Sequence, residues 1–285
     1  MLNAIAKVSG RWFPLHERAT ATGLASLAIY AGIFAGLAIT PLIVLGSSLP
    51  SALLIYGIFA AVIAVLFLIL ARERPPTPVG PEERSLVLDG LKSVFRNRGF
   101  LLLLLLFFIG LGLFNAVTTW IEDIVRPRGF TMDQAGLAGG LMVVGGIVGA
   151  LVVPMLSDRA KRRVPFLILA LAGAIPGLLC VTFATSYWLL LASSFVLGAF
   201  LLSSGPLGFQ YAAELTVPAP EGTSNGLLLL AGQVSGVLFI LGMDALKATP
   251  SGSMTLPLLI LAGLMAVALL LSTRLRESGA LDSRD

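Results

Sequence analysis

Two side-chain amides stand where polar groups are otherwise excluded: Asn115 in "LLLLLLFFIGLGLFNAVTTWIEDI" and Gln233 in "GLLLLAGQVSGVLFILG". An amide offers two N–H donors and a carbonyl acceptor without carrying a charge, which suits it to hold a small polar solute. In hydrocarbon such a group is costly unless it faces protein or water. Two readings follow: a solute contact in a wet hollow, or an interhelical hydrogen bond that only holds a bundle together. A second group, Gln210, Tyr211 and Glu214, stands near the end of another apolar run. A third is Asp158 with Arg159, Lys161, Arg162 and Arg163 behind it, a cluster that either orients the chain in a membrane or forms a charged gate at its surface.

Other chemistries fit poorly. The chain has one histidine, His16, and one cysteine, Cys180, too few for a His/Cys metal site. There is no G-x-x-x-x-G-K-[ST] loop for a nucleotide, so transport would draw on gradients, and no cofactor is expected. "GTSNG", Gly222 to Gly226, matches the string G-x-S-x-G, but it follows a proline-rich loop with no strand and no nearby histidine. Capping of a helix by Thr223 or Ser224 is the better account. No paired His, Asp or Cys residues gather as a membrane enzyme would need, so an enzyme is not expected.

These residues need elements to place them. The 285 residues are 57% hydrophobic and 12% charged, with a mean hydropathy of +0.96, far more apolar surface than a water-soluble core could hide. A bilayer core of about 30 Å takes roughly 20 helical residues at about 1.5 Å each. Eight runs qualify: Ala19 to Leu45, Ala52 to Ala71, Phe100 to Ile121, Ala135 to Leu156, Val164 to Phe183, Tyr187 to Phe209, Gly226 to Met243 and Met254 to Thr273. They are apolar all round and too long for barrel strands, which makes this an all-α polytopic membrane protein. Asn115 falls about sixteen residues into its run and Gln233 about eight into its own, so both lie near the midplane.

Alternating the loops puts sixteen of the nineteen Lys and Arg on one side and only Arg126, Arg128 and Lys247 on the other. The positive-inside rule places the C-terminus and the loop after Ala71 in the cytoplasm of a cell membrane. The net charge of +4 is thus topological, and no basic recognition module points to nucleic acid. Glycine-spaced segments, "GIFAG" (Gly32 to Gly36), "GGIVG" (Gly145 to Gly149) and "GQVSG" (Gly232 to Gly236), predict close helix packing. Pro41 and "SSGPLG" (203–208) are candidate bends. Trp12, Trp120 and Trp188 stand near run ends, as interfacial tryptophans do, and Cys180 reads as a small packing residue.

The longest polar break, Arg72 to Arg98, opens with "RERPPTPVGPEERS" and reads as a linker. Its second half, "SLVLDGLKSVFRNR", sets Val87, Leu88, Leu91, Val94 and Phe95 on one helical face, as in a helix lying on a membrane surface or docked on a partner. The expected organisation is a partial first bundle (1–72), the linker (73–98), a six-helix bundle (99–275) and a tail (276–285).

"KVSGRWFPLHERATAT" is similar to the loop between the fourth and fifth helices of the major facilitator superfamily, and "GALVVPMLSDRAKRR" (149–163) to its signature loop between the eighth and ninth. "GPLGFQYAAELTVPAPEGTSNGLLLLAGQVSG" (205–236) resembles the feline leukaemia virus subgroup C receptor-related transporters. The resemblance implies a major-facilitator-like bundle with an incomplete N-terminal half and a complete six-helix C-terminal half, residue 1 falling late in the fourth helix. Missing N-terminal helices, or a second chain, would then be required. It implies that Gln233 matches a substrate-contacting glutamine. Gln210 replaces a glutamate of the family pattern "GFEFA", and Asn115 replaces a cavity-lining tyrosine. It also implies that Asp158 approaches the start of the helix near Ala19, where Arg18 and the helix dipole favour a carboxylate, giving a gate of Asp158, Arg159, Arg18 and Glu214.

The expectation is a secondary transporter of a small organic solute working by alternating access, with Gln233, Asn115, Gln210 and Tyr211 contacting the solute. Choline- or ethanolamine-like amines and haem-related compounds are what the resemblance offers as cargo. The alternative is an inactive fragment or a non-transporting membrane interaction protein. Among the runs after the linker no acidic residue stands at mid-depth, which favours facilitated over proton-coupled movement.

Overall fold

A computed structural model describes residues 46–72, 94–216, 221–247 and 251–277, with scattered positions between 12 and 44. Among these residues the chain is helical and holds no strand, with seven helices long and apolar enough to cross a membrane. The eighth expected span, Ala19 to Leu45, lies largely outside the described residues, as do Arg18, His16 and Pro41. The chain divides into two compact units, Met1–Arg84 and Ser85–Asp285.

In the first unit, α1 runs Leu49–Leu70, started by Ser48, whose hydroxyl accepts from the Ser51 N–H, and by a proline in its first turn. Only Ala52 of this helix is buried, and Phe67 and Leu68 are more than two-thirds exposed. A helix apolar on every face can meet only lipid or other helices. Of the "GIFAG" segment, a Cβ at Gly32 or Gly36 would meet nothing within 4 Å among the described residues, and much of its surroundings lies outside them.

Among its described residues the second unit holds six helices: α2 (Arg98–Val125), α3 (Met132–Ala160), α4 (Val164–Phe183), α5 (Tyr187–Leu215), α6 (Glu221–Ala245) and α7 (Thr255–Ser272), with a short 3-10 turn at Arg126–Arg128. Several outrun the apolar runs of the sequence, since turns in the polar interface still pair their backbone groups. α6 begins at Glu221, five residues before the expected start. Thr223 and Ser224 therefore lie inside its first turn, and neither is its cap.

Short connections reverse the chain at each step, so α3 and α5 run parallel, as do α2 and α6. α3 packs chiefly on α5, α2 on α6, α4 on α5, and α7 on α4 and α2. The α3–α5 seam is built from backbone. A Cβ on Gly145 would lie 2.2 Å from the Phe195 carbonyl oxygen, one on Gly149 1.8 Å from that of Ala199, and one on Gly198 1.7 Å from that of Met142. Only glycine allows that approach, and the approach supplies the dispersion contact that holds helices in lipid.

Caps fix the ends. Asn97 accepts from the Gly99 and Phe100 amides to start α2, while its Nδ2 donates to the Leu215 carbonyl at 2.8 Å, closing the end of α5. Thr131 and Gln134 form a capping box on α3. Arg128 donates to the carbonyls of Val181, Thr182 and Ala184 at the end of α4, at 2.7, 3.0 and 3.1 Å.

Cys180 is exposed, against expectation. It shares an open stripe of α4 with Ala172 and Pro176, one turn apart, and a helix apolar all round gave no sign of which face is outermost. Of the linker helix, Val94 is buried and Phe95 is 45% exposed, and the earlier positions lie outside the described residues.

Candidate functional site

Asn115 sits in the middle of α2, against the glycine-notched face of α6. Its Nδ2 lies 3.5 Å from the Gly232 carbonyl, the outer edge of hydrogen-bond range, and a Cβ on Gly236 would come within 2.8 Å of it. The Ser235 hydroxyl donates to that same carbonyl at 3.0 Å, so Asn115 approaches an acceptor already engaged. Gln233 follows Gly232 directly, is exposed, and has no hydrogen-bond partner among the described residues. Thr119, one turn beyond Asn115, is also exposed and spends its hydroxyl on the Asn115 carbonyl at 2.7 Å.

Two aromatic rings lie along the same seam. Phe108 and Phe239, both half-buried, meet edge to face with centroids 5.8 Å apart, and the Phe239 ring covers Gly112. Neither stood out in the sequence, where most spans carry phenylalanines and no spacing marks a pair across two helices. Nearer one end of the seam, Trp120 donates its indole N–H to the Ile240 carbonyl at 3.1 Å. Lys247 reaches Asp123 at 3.1 Å and stands 5.5 Å from the Trp120 ring centre. A cavity of about 170 Å³ opens there, lined by Asp123, Arg126, Pro127, Lys247, Ser251 and Gly252. Trp188, by contrast, is 79% exposed at the start of α5.

Gln210 and Tyr211 stand apart from that pair. The Phe209 ring meets Phe107 at 5.3 Å, and Asn115 is eight residues further along α2, about 12 Å of helix rise. Gln210 is exposed, with no hydrogen-bond partner among the described residues. Tyr211 is fully buried, and its hydroxyl donates to the Arg276 carbonyl at 2.6 Å. It shares the closed side of α5 with Leu207, Gly208 and Ala212, so it anchors the chain beyond α7 instead of opening toward Asn115.

At that same end the charges gather on a residue the sequence had grouped with the orientation signals. Arg163 is 3% exposed; it pairs with Asp158, reaches Glu214 at 3.4 Å and donates to the Ser157 hydroxyl at 3.2 Å. Lys161 takes a left-handed turn at the end of α3 (φ 51°) and the Arg162 N–H returns to the Ser157 carbonyl. That reversal folds Arg163 under the helix end and leaves Arg159, Lys161 and Arg162 exposed. Glu214 is 14% exposed and Asp158 56%, so the buried arm is the stronger tie.

Long apolar helices joined by glycine seams define a multi-pass helical membrane protein. The sequence pattern of the Major Facilitator Superfamily matches residues 1–240 and, overlapping, 122–283, and the chain belongs to that family. It is 36% identical over 227 residues to an uncharacterized protein of Archaeoglobus fulgidus, whose whole length is covered. It is 33% identical to zebrafish solute carrier family 49 member A3, covering 93% of this chain and 60% of that protein. It is 28% identical to the zebrafish choline/ethanolamine transporter flvcr2a, covering 97% and 64%. The chain thus spans about 60% of the length of these named relatives. In fold it is similar to the E. coli fucose:proton symporter FucP (TM-score 0.63, 16% identity, 96% of this chain and 72% of that one). It is likewise similar to a bacterial homologue of the human lysosomal transporter Spinster (TM-score 0.61, 14% identity, 97% and 75%).

Proposed function

We propose that the chain serves a secondary transporter that moves a small organic amine of the choline or ethanolamine kind, its solute site centred on Asn115 and Gln233. The observation that carries this reading is the α2–α6 seam: two amides at mid-depth, one weakly engaged and one exposed, beside a pair of phenylalanines. Amide oxygens suit the hydroxyl or N–H groups of such amines, and ring faces attract a cation where water is scarce. The relatives named as choline/ethanolamine transporters support the cargo class.

In this reading Asp158 and Glu214, held by Arg163, gate with Arg159 the end of the bundle where most Lys and Arg collect. That end and the C-terminus face the cytoplasm of a cell membrane, following the positive-inside rule.

Uptake of labelled choline and ethanolamine into proteoliposomes holding the full chain tests this. Saturable uptake is expected, cut at least about tenfold by Gln233→Ala and by Asn115→Ala, the size of effect expected when a solute hydrogen bond is lost. No saturable uptake of either amine would overturn the cargo. Uptake unchanged in both variants would overturn the site.

A further inference from the structure

Helix α4 starts without help from its own sequence. Its N-cap residue, Arg163, makes no side-chain capping bond, and a proline in the first turn removes one N–H from the set that needs partners. The missing acceptor comes from the far end of the chain: the Glu277 carboxylate takes the Arg163 N–H at 3.0 Å and the Val164 N–H at 3.1 Å, one on each oxygen. Glu277 lies five residues past the last helical residue of α7 and is held there by two further contacts. Leu275 is 6% exposed, and the Arg276 carbonyl accepts the Tyr211 hydroxyl at 2.6 Å.

We infer that the segment Arg274–Glu277 is a clasp, and that Glu277 is the positioning residue that sets Arg163 against Asp158 and Glu214. The backbone amide and the side chain of Arg163 are bound by different carboxylates. Glu277 holds the amide, while Asp158 and Glu214 hold the guanidinium. Releasing the amide frees the first turn of α4, and with it the direction in which the guanidinium leaves the helix. The charge favours the same arrangement, since a carboxylate at a helix N-terminus meets the positive end of the helix dipole. The state of the polar end is thereby tied to the tail after the last helix, whatever solute the protein carries. A partner or modification that pulls the tail away would loosen the Arg163 cluster without touching the membrane-spanning seams.

Amide hydrogen exchange on the full chain in detergent micelles, comparing wild type with Glu277→Ala, Glu277→Asp and Tyr211→Phe, tests the clasp. Glu277→Ala should speed exchange at Arg163 and Val164 roughly tenfold or more and at the last turn of α3 as well, because charge-assisted bonds to both amides are lost. Glu277→Asp should recover at least part of the protection, and Tyr211→Phe should raise exchange at residues 274–277 by a smaller factor. Exchange within α2 and α6 should not change. Unchanged exchange at both α4 and α3 in Glu277→Ala would overturn the proposal, as would a rise spread evenly over all six helices. If Glu277→Ala fails to fold, Tyr211→Phe decides: faster exchange at residues 274–277 together with Arg163 supports the clasp, and faster exchange at the tail alone overturns it.

Discussion

The two parallel seams of the second unit are built on opposite plans. Between α3 and α5 the backbones touch, with carbonyls of one helix lying where a glycine of the other lacks a side chain. Between α2 and α6 the glycines face side chains instead: Gly112 meets Ser235 and Phe239, Gly232 meets Leu111, and Gly236 meets Asn115. Apart from the Leu202 side chain over Gly146, the first seam has little to rearrange except whole helices. The second contains rotatable, polar and aromatic groups, and it carries the ties from Trp120 and Lys247. Under the proposed function, the first seam holds the unit together and the second receives the solute.

The largest expected effect falls on the backbone seam. Gly198→Ala puts a carbon 1.7 Å from the Met142 carbonyl oxygen, and the helices must part to admit it, at a cost of about 3 kcal/mol. Gly236→Ala meets only the mobile end of Asn115 and should cost about 1 kcal/mol. Thermal unfolding in detergent would show the first variant melting well below the second. Equal losses would erase the distinction between the seams.

Arg163→Ala comes next. It leaves Glu214 without that guanidinium at a mostly buried position and should cost about 2 kcal/mol in the same assay. A loss no larger than that of Arg159→Ala, an exposed neighbour, would mean that the cluster is only a surface charge pattern. Smallest is Lys247→Ala. Its bond to Asp123 is part-exposed, so a loss of about 0.5 kcal/mol that shrinks further in high salt is expected. A larger, salt-independent loss would make the outer tie part of the core of the seam.

The spans were legible because lipid imposes length and apolarity on every crossing segment. The packing role of Gly145, Gly149, Gly232 and Gly236 was legible for the same reason, whereas Gly32 and Gly36, with identical spacing, meet nothing among the described residues. Facing was not legible. In helices apolar on all sides, periodicity does not tell an open stripe from a closed one, so Cys180 reads like Leu178 although one is exposed and the other buried. Nor was Arg163 separable from Arg159 or Arg162, because which of four basic residues is buried depends on a single left-handed residue, Lys161. Glu277 was hidden by distance along the chain, since its partners lie more than a hundred residues away.

The central claim is that Asn115 and Gln233 line a water-filled path. Aqueous thiol labelling tests it most directly, with Asn115→Cys and Gln233→Cys each placed in a Cys180→Ser background and reconstituted into vesicles. A positively charged, membrane-impermeant methanethiosulfonate reagent should modify both positions, and choline should slow the reaction. Modification by a lipid-soluble maleimide alone, with the charged reagent inert at both cysteines, would place the amides in acyl chains and contradict the account.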